Sequence, residues 1–546
     1  MTSTRQDSSL QSVISKYALL TKTEQAVLQF LSIFVLSTNR TNLAKYLLDA
    51  GVLGDNGKAL TIAELTPITD RLTRLDLIII AKHDNNYFQC ASAVANYATQ
   101  AALIEGRFRK MANVVLAALA SYLFSAQYHN NTSVDICKAR LRVAVFSRNP
   151  TEVVAELQSC REIFLYYSIM ERPLVTICAT PFDVEWFRGL PPPIQAEAMD
   201  EIVSDYLENF TSVEEIVPLL RAFRHHLDTE YIRRFRKLLV TILIFQGHIV
   251  EAQAILNAAD PVENGLALQG WIHFLRGENE SAIQHFEALL KSARKIIEKR
   301  QIILGEISGT FYLLALLKSS DPLHRTRLGE QLELVNKKPK MTVTPLADCF
   351  KAILLAQGNK VDNAVSLLDP YTRQVHYLIA TITGSTHESA DADSCLIKLF
   401  KSVARFWIDI EYARKKNTGL KDLFNQAKQN GHQWAAMEIA SLLAALGQDA
   451  ASYGEYAAKI QQETGMQSIL PIISQEEGWE RALRAMIQLG VGRGGKVEAK
   501  TGSNSRMIWL IGMSGNVVTN IQPREQVRSA SGSWTKGRPI ALKRLF

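Results

Sequence analysis

A mainly α-helical fold is predicted by three observations. From about residue 100 to residue 485, apolar residues recur at helical spacing and the alternation of strands is rare. Ala, Leu, Glu, Gln and Lys dominate that stretch, and Gly marks recurrent turns. One unit also repeats: Leu243–Leu256 aligns with His273–Phe286, so that Gly247 matches Gly277 and Ala252 matches Ala282 at a period of 30. The chain has 546 residues, 47% apolar and 21% charged, which excludes wholesale disorder.

The N-terminal hundred residues carry a different order. Thr21 or Thr23 caps a helix through Val27, Leu28, Leu31, Phe34 and Val35, which Ser37–Arg40 breaks. A second helix, Leu43–Ala50, stops at Gly51, and a third begins near Thr66-Pro67 with Ile68, Leu72 and Leu75 inward. Leu77–Ala81 and Tyr87–Cys90 then read as a strand pair about a His83–Asn86 turn. Three helices and a hairpin are the order of a winged helix. Groove reading would need cations and amides on the third helix. Its exposed positions are expected to be Thr69, Asp70, Arg71, Thr73 and Arg74, followed by Asp76. With nine basic and eight acidic side chains in residues 1–100, no strong phosphate-attracting field is expected there.

The repeat has the physics of a helical hairpin. A Gly permits the tight turn, and a small Ala lets the second helix approach the first. Looser copies are Leu354–Leu368 and Leu443–Ala450. Stacked units of this kind form a degenerate helical-repeat solenoid with a continuous core and long exposed surfaces. Pro191-Pro-Pro193 marks one joint and the polar Thr381–Asp393 another. The expected divisions are 1–100 (winged helix), 101–190 (helical), 191–380 (helical repeats), 381–489 (further repeats) and 490–546.

The last division is where charge collects. Residues 490–546 hold ten basic and two acidic side chains, a net +8, in a chain whose total is +7. Gly490–Gly495 reads as a Gly-rich hinge. Met507–Ile511 and Val517–Ile521 read as two strands of a small basic β-containing piece. Clustered cations suit phosphate-rich partners, so nucleic acid is the expected ligand of this segment, at Arg524, Arg528, Lys536, Arg538, Lys543 and Arg544.

Other chemistry is sparse. Gly490-Val-Gly-Arg-Gly-Gly-Lys496-Val497 approaches a phosphate-binding loop, but Val497 stands where the magnesium-binding hydroxyl belongs. His225-His226 sits among Arg221, Arg224, Arg233, Arg234, Arg236 and Lys237, and adjacent helical histidines point about 100° apart, unsuited to one metal. Asp391-Ala-Asp393 opens like a calcium loop but lacks its Gly and distal Glu. No catalytic constellation, metal site or cofactor is expected. Six dispersed Cys, at 90, 137, 160, 178, 349 and 395, read as free thiols in a reducing compartment. With no apolar run of membrane length and no leader-like start, a cytoplasmic protein is expected.

Three resemblances add to this reading. The winged-helix order resembles that of helical regulators of the STAND type, and the repeats resemble tetratricopeptide units without their tryptophan and proline positions. At the C-terminal end, Arg506-Met-Ile-Trp509-Leu, Ile521-Gln-Pro-Arg-Glu-Gln526 and Trp534-Thr-Lys-Gly-Arg538-Pro-Ile-Ala-Leu-Lys-Arg-Leu545 resemble about 40 residues from the N-terminal half of bacterial SWI/SNF-family helicases of the DEAD/DEAH type. There, a long helical region precedes this block and the ATP-driven motor follows it. The resemblance implies a non-catalytic scaffold or regulatory region of a DNA translocase, as a truncated or split product. Its expected partners are proteins along the solenoid, DNA at 490–546 and a separately encoded motor, with no membrane. The alternative is a free-standing helical-repeat adaptor with no nucleic-acid role.

Overall fold

The computed structural model describes residues 12–470 except 13, 82–83, 126–129, 168–170, 223–228, 259–263, 298–303, 305, 320, 337–347, 350, 353–392 and 409. It is mainly helical, with strands confined to the first hundred residues among those described. The second expected joint, Thr381–Asp393, lies outside the described residues apart from Asp393. So do the repeat copy at Leu354, the Gly-rich hinge, the C-terminal strands and all six predicted nucleic-acid contacts. Among the described residues, no helix is long and apolar enough to cross a membrane.

The chain divides into two units. The first comprises residues 1–260, 369–399 and 419–439; the second comprises 261–368, 400–418 and 440–546.

In the first unit, the Thr21 hydroxyl accepts a hydrogen bond from the Glu24 amide, and the Glu24 carboxylate accepts one from the Thr21 amide. This capping box starts α1 (Lys22–Phe34), which is buried along almost its whole length. A two-residue strand, β1 (Thr38–Asn39), precedes α2 (Arg40–Asp49). The third helix, α3 (Ile62–Arg74), starts four residues before the expected Thr66-Pro67. Thr61 and Glu64 form a second capping box, and Pro67 lies inside the helix. β2 (Ile78–Ala81) and β3 (Asp84–Cys90) follow, giving an antiparallel sheet of order β1-β3-β2, with Thr38 opposite Phe88 and Ile80 opposite Phe88. Sequence reading missed β1, because two residues give no period to detect.

Helices then follow closely: α4 (Ser92–Ile104), α5 (Phe108–Ser125), α6 (Asn130–Phe146), α7 (Pro150–Tyr167), α8 (Pro173–Ala179), α9 (Val184–Arg188) and α10 (Pro192–Asn209). Pro191 supplies the N-cap of α10 and Pro192 its first turn, so the proline run opens a helix, where a missing N–H costs nothing. Next come α11 (Ile216–Ala222), α12 (Thr229–Phe245) and α13 (Ile249–Leu256). α6 packs on α7, α10 on α8 and α12, and α12 on α13.

Cys137 on α6 and Cys160 on α7 form a disulfide, with Cα atoms 5.5 Å apart. This corrects the expectation of six free thiols. The 23-residue separation matches no local motif; only the antiparallel pairing of two helices brings these buried residues together. Cys90, Cys178 and Cys395 carry free thiols.

In the second unit, α14 (Gly265–Leu275) packs on α15 (Asn279–Ile297), and both pack on α16 (Glu306–Lys318), which packs on α17 (Pro322–Asn336). α14 and α15 approach closely at Gly270, where an added Cβ would sit 2.9 Å from the Phe286 ring. The later helices are α18 (Cys395–Ile408), α19 (Ile410–Lys416), α20 (Leu420–Gln429), α21 (Gln433–Ala445) and α22 (Ala450–Thr464); α19 and α22 belong to the second unit, α20 to the first, and the boundary between the units falls within α18 and α21.

The aligned glycines end their helices in the same way. Gly247 and Gly277 have φ of 80° and 78°. The next amide reaches back to the carbonyl five residues earlier, His248 to Leu243 and Glu278 to His273. The following helix starts within two residues, and Ala252 and Ala282 are fully buried. Gly447, from the last aligned segment, has the same geometry, with the Gln448 amide bonded to the Leu443 carbonyl.

Candidate functional site

The exposed side of α3 and its hairpin form a cleft of about 450 Å³, lined by Arg40, Thr69, Asp70, Thr73, Arg74, Ile80 and Phe88. Sequence analysis named Thr69, Asp70, Thr73 and Arg74 here; Arg40, Ile80 and Phe88 arrive only through the fold. Ile80 and Phe88 are cross-strand partners, so β-pairing puts an aliphatic and an aromatic side chain side by side. Arg40 opens α2 and reaches across: its Nε donates to Thr69 Oγ1 at 3.0 Å, its Nη2 donates to Asp70 Oδ1 at 3.0 Å, and its guanidinium lies 5.9 Å from the Phe88 ring centroid.

Those contacts decide what α3 offers. Thr69, expected on the surface, is buried. Arg71 is turned inward, donating to both Glu24 oxygens at 3.0–3.1 Å and to the Leu19 carbonyl at 2.8 Å. Asp76 pairs with Lys16. Arg74 stays exposed at the rim, its Nε 3.4 Å from the Asp70 carbonyl. Of the two cations of α3, Arg71 is spent on an internal ion pair and Arg74 is exposed, so among the described residues α3 presents one exposed cation to a phosphate backbone, beside the exposed Asp70.

The basic run before and within α12 behaves similarly. Arg221 pairs with Glu251, and Arg234 with Asp200 and Glu197. His225, His226 and Arg224 lie outside the described residues. On α12 the apolar residues at helical spacing are Ile232, Phe235, Leu238, Leu239 and Ile242; the last four are buried and Ile232 is half-buried.

Beneath the helix–hairpin segment lies a buried polar cluster that sequence reading missed. Arg142, on α6, is buried; its two terminal nitrogens donate to Asn96 Oδ1 at 2.7 Å and Thr99 Oγ1 at 2.8 Å. Thr99 also lies 2.9 Å from Ser32, and Asn96 donates to the Thr176 and Thr180 carbonyls. The guanidinium sits 4.8 Å from the Phe146 ring centroid, and its Nε has no hydrogen-bond partner among the described residues. Desolvation pulls this arginine down to about 10, and burial pushes the nearby Cys90 thiol up to about 12, so Cys90 supplies no thiolate counter-charge. The cluster ties α1, α4, α6 and α8 together through neutral acceptors. In sequence Arg142 is one of three cations, with Lys138 and Arg140, in the stretch Ile136–Phe146, and nothing local says that it alone points inward.

No group of three or more metal-ligating side chains converges among the described residues. No family model, curated protein or solved structure matches the chain.

Proposed function

We propose that this chain is a non-catalytic helical scaffold of the kind that precedes the motor in SWI/SNF-type DNA translocases. It engages protein partners along its helices and DNA through residues 490–546. The observation that carries the scaffold reading is the recurrence at Gly247, Gly277 and Gly447 of one device, a helix closed by a left-handed Gly with the next helix starting directly after it. That recurrence favours a helical-repeat array, whose exposed helix faces suit protein contacts. The order α1-β1-α2-α3-β2-β3, with sheet order β1-β3-β2, supports a winged helix at the N-terminal end. The DNA role rests on the net +8 of residues 490–546 and on the local resemblance there.

The second reading is a free-standing adaptor with no nucleic-acid role. It is favoured by the internal pairing of Arg40 and Arg71, which leaves α3 poor in free cations. The test is binding of the full chain to labelled duplex DNA across a salt series. The comparison is a variant with Arg524, Arg528, Lys536, Arg538, Lys543 and Arg544 replaced by Gln. The scaffold reading predicts tight binding at low salt, with log affinity falling by roughly 0.9 per phosphate contact per log unit of salt, and a markedly shallower slope in the variant. An unchanged slope in the variant removes the assignment of these cations. No binding by the parent at low salt establishes the adaptor reading.

A further inference from the structure

The second unit pairs two histidines across its first hairpin, and the scaffold reading does not use them. His273 stands near the end of α14 and His285 in the second turn of α15. Their rings stack, with centroids 4.8 Å apart and planes inclined at 25°. The close approach of the helices brings them together: Gly270 lies one turn before His273, and Phe286, whose ring it meets, follows His285. In the aligned hairpin α12–α13 the same two positions hold Leu243 and Ile255, so hairpin packing does not itself call for imidazoles.

Each ring is held at Nδ1. His273 Nδ1 is hydrogen-bonded to Glu278 Oε2, and His285 Nδ1 lies 2.8 Å from the Ser281 carbonyl oxygen. Carboxylate and carbonyl oxygens only accept, so both Nδ1 atoms carry the proton. In the neutral rings both Nε2 atoms then present a lone pair. Metal-ligating histidines are oriented in this way, with the second nitrogen donating to a carboxylate or a carbonyl that fixes the tautomer. Both acceptors lie between the rings and the turn at Gly277, so the two Nε2 edges share the side away from it. Both side chains are half-buried, within reach of ions from solvent.

We propose that His273 and His285 form an open site for a divalent transition metal, which clasps α14 to α15 through the two Nε2 atoms. Imidazole nitrogen suits Zn²⁺, Ni²⁺ and Cu²⁺ better than it suits hard cations. On a tetrahedral zinc, nitrogens bound at about 2.0–2.1 Å stand about 3.3 Å apart. The stacked rings reach that separation by tilting together about χ2, a soft torsion in His. Water holds the remaining positions.

The test is hydrogen exchange of the full chain at pH 7.5, read by mass spectrometry over residues 265–290 across a zinc chloride titration. In the parent, exchange of this hairpin slows saturably. With free zinc tenfold above the midpoint, openings that break the site are suppressed about elevenfold. H273Q and H285Q each abolish the slowing, and E278Q, which loosens His273, moves the midpoint up by about tenfold. No zinc effect over 265–290 in the parent, slowing that survives in H273Q or H285Q, or an unchanged midpoint in E278Q overturns the proposal. Should a variant fail to fold, labelling of the parent by diethyl pyrocarbonate decides. Zinc protects His273 and His285 together if they share the metal, and labelling of both unchanged by zinc overturns the site.

Discussion

His432 is the residue whose protonation the fold resists most clearly. It stands at the N-cap of α21. Its carbonyl accepts from the Ala436 N–H at 3.0 Å and its Nδ1 accepts from the Ala435 N–H at 3.3 Å. An accepting Nδ1 requires a neutral ring with the proton on Nε2. The ring is fully buried, 4.7 Å from the rings of Tyr206 and Phe210 and 5.3 Å from that of Phe245, and Nε2 has no hydrogen-bond partner among the described residues. Desolvation lowers its pKa from 6.5 to about 3. The contribution is present above pH 6.5 and is lost as pH falls toward 3, because the unfolded chain binds the proton first. Between pH 7 and pH 5 the loss is about 2 kcal/mol. H432F keeps the ring volume and removes both the cap acceptor and the titration, costing about 1 kcal/mol at pH 7. Other groups titrate in both proteins alike, so the quantity to read is the gap between the two. Hydrogen exchange over residues 419–439 at pH 7 and pH 5 gives it. The parent should lose about 2 kcal/mol of its local stability relative to H432F on acidification. An equal pH response in both proteins would refute a buried neutral imidazole.

Three further outcomes follow from the packing. N96A strands the buried Arg142 guanidinium and should cost about 2–3 kcal/mol in urea unfolding at pH 7, more than R142M, which removes the charge itself; the reverse order would deny that Asn96 compensates it. G270A drives a methyl into the Phe286 ring and should destabilise by about 1–3 kcal/mol, measured by thermal unfolding. G265A, whose Cβ meets nothing within 4 Å, should be neutral or slightly stabilising, and a comparable loss at both positions would contradict the close approach of α14 and α15.

The helices and their turns were legible because their signals are local. Thr21 with Glu24, the Gly247–Gly277 pair and the two buried alanines are all fixed by neighbours within a few residues. The start of α3 was misplaced because Thr66-Pro67 imitates a cap, while Thr61 and Glu64 form the real one. What the sequence hid is long-range. Arg142 meets Asn96 and Thr99 from more than 40 residues away. Cys137 meets Cys160 only because α6 and α7 are antiparallel neighbours. Gln426 and Asn430 donate to the Asn209 and Phe210 carbonyls from more than 200 residues away, placing α20 at the end of α10. The cleft shows both sides of this. Its α3 residues could be named in advance, but the reach of Arg40 from α2 to Thr69 and Asp70 could not, and that contact sets the charge they show.

We propose that DNA is met by the basic segment 490–546 and not by the helix–hairpin at the N-terminal end. Hydrogen exchange of the full chain with and without duplex DNA at low salt tests it most directly. Protection gained in peptides covering 490–546, with none in those covering 62–81, is the predicted result. Protection centred on 62–81, or none anywhere under conditions where the DNA is bound, would contradict it.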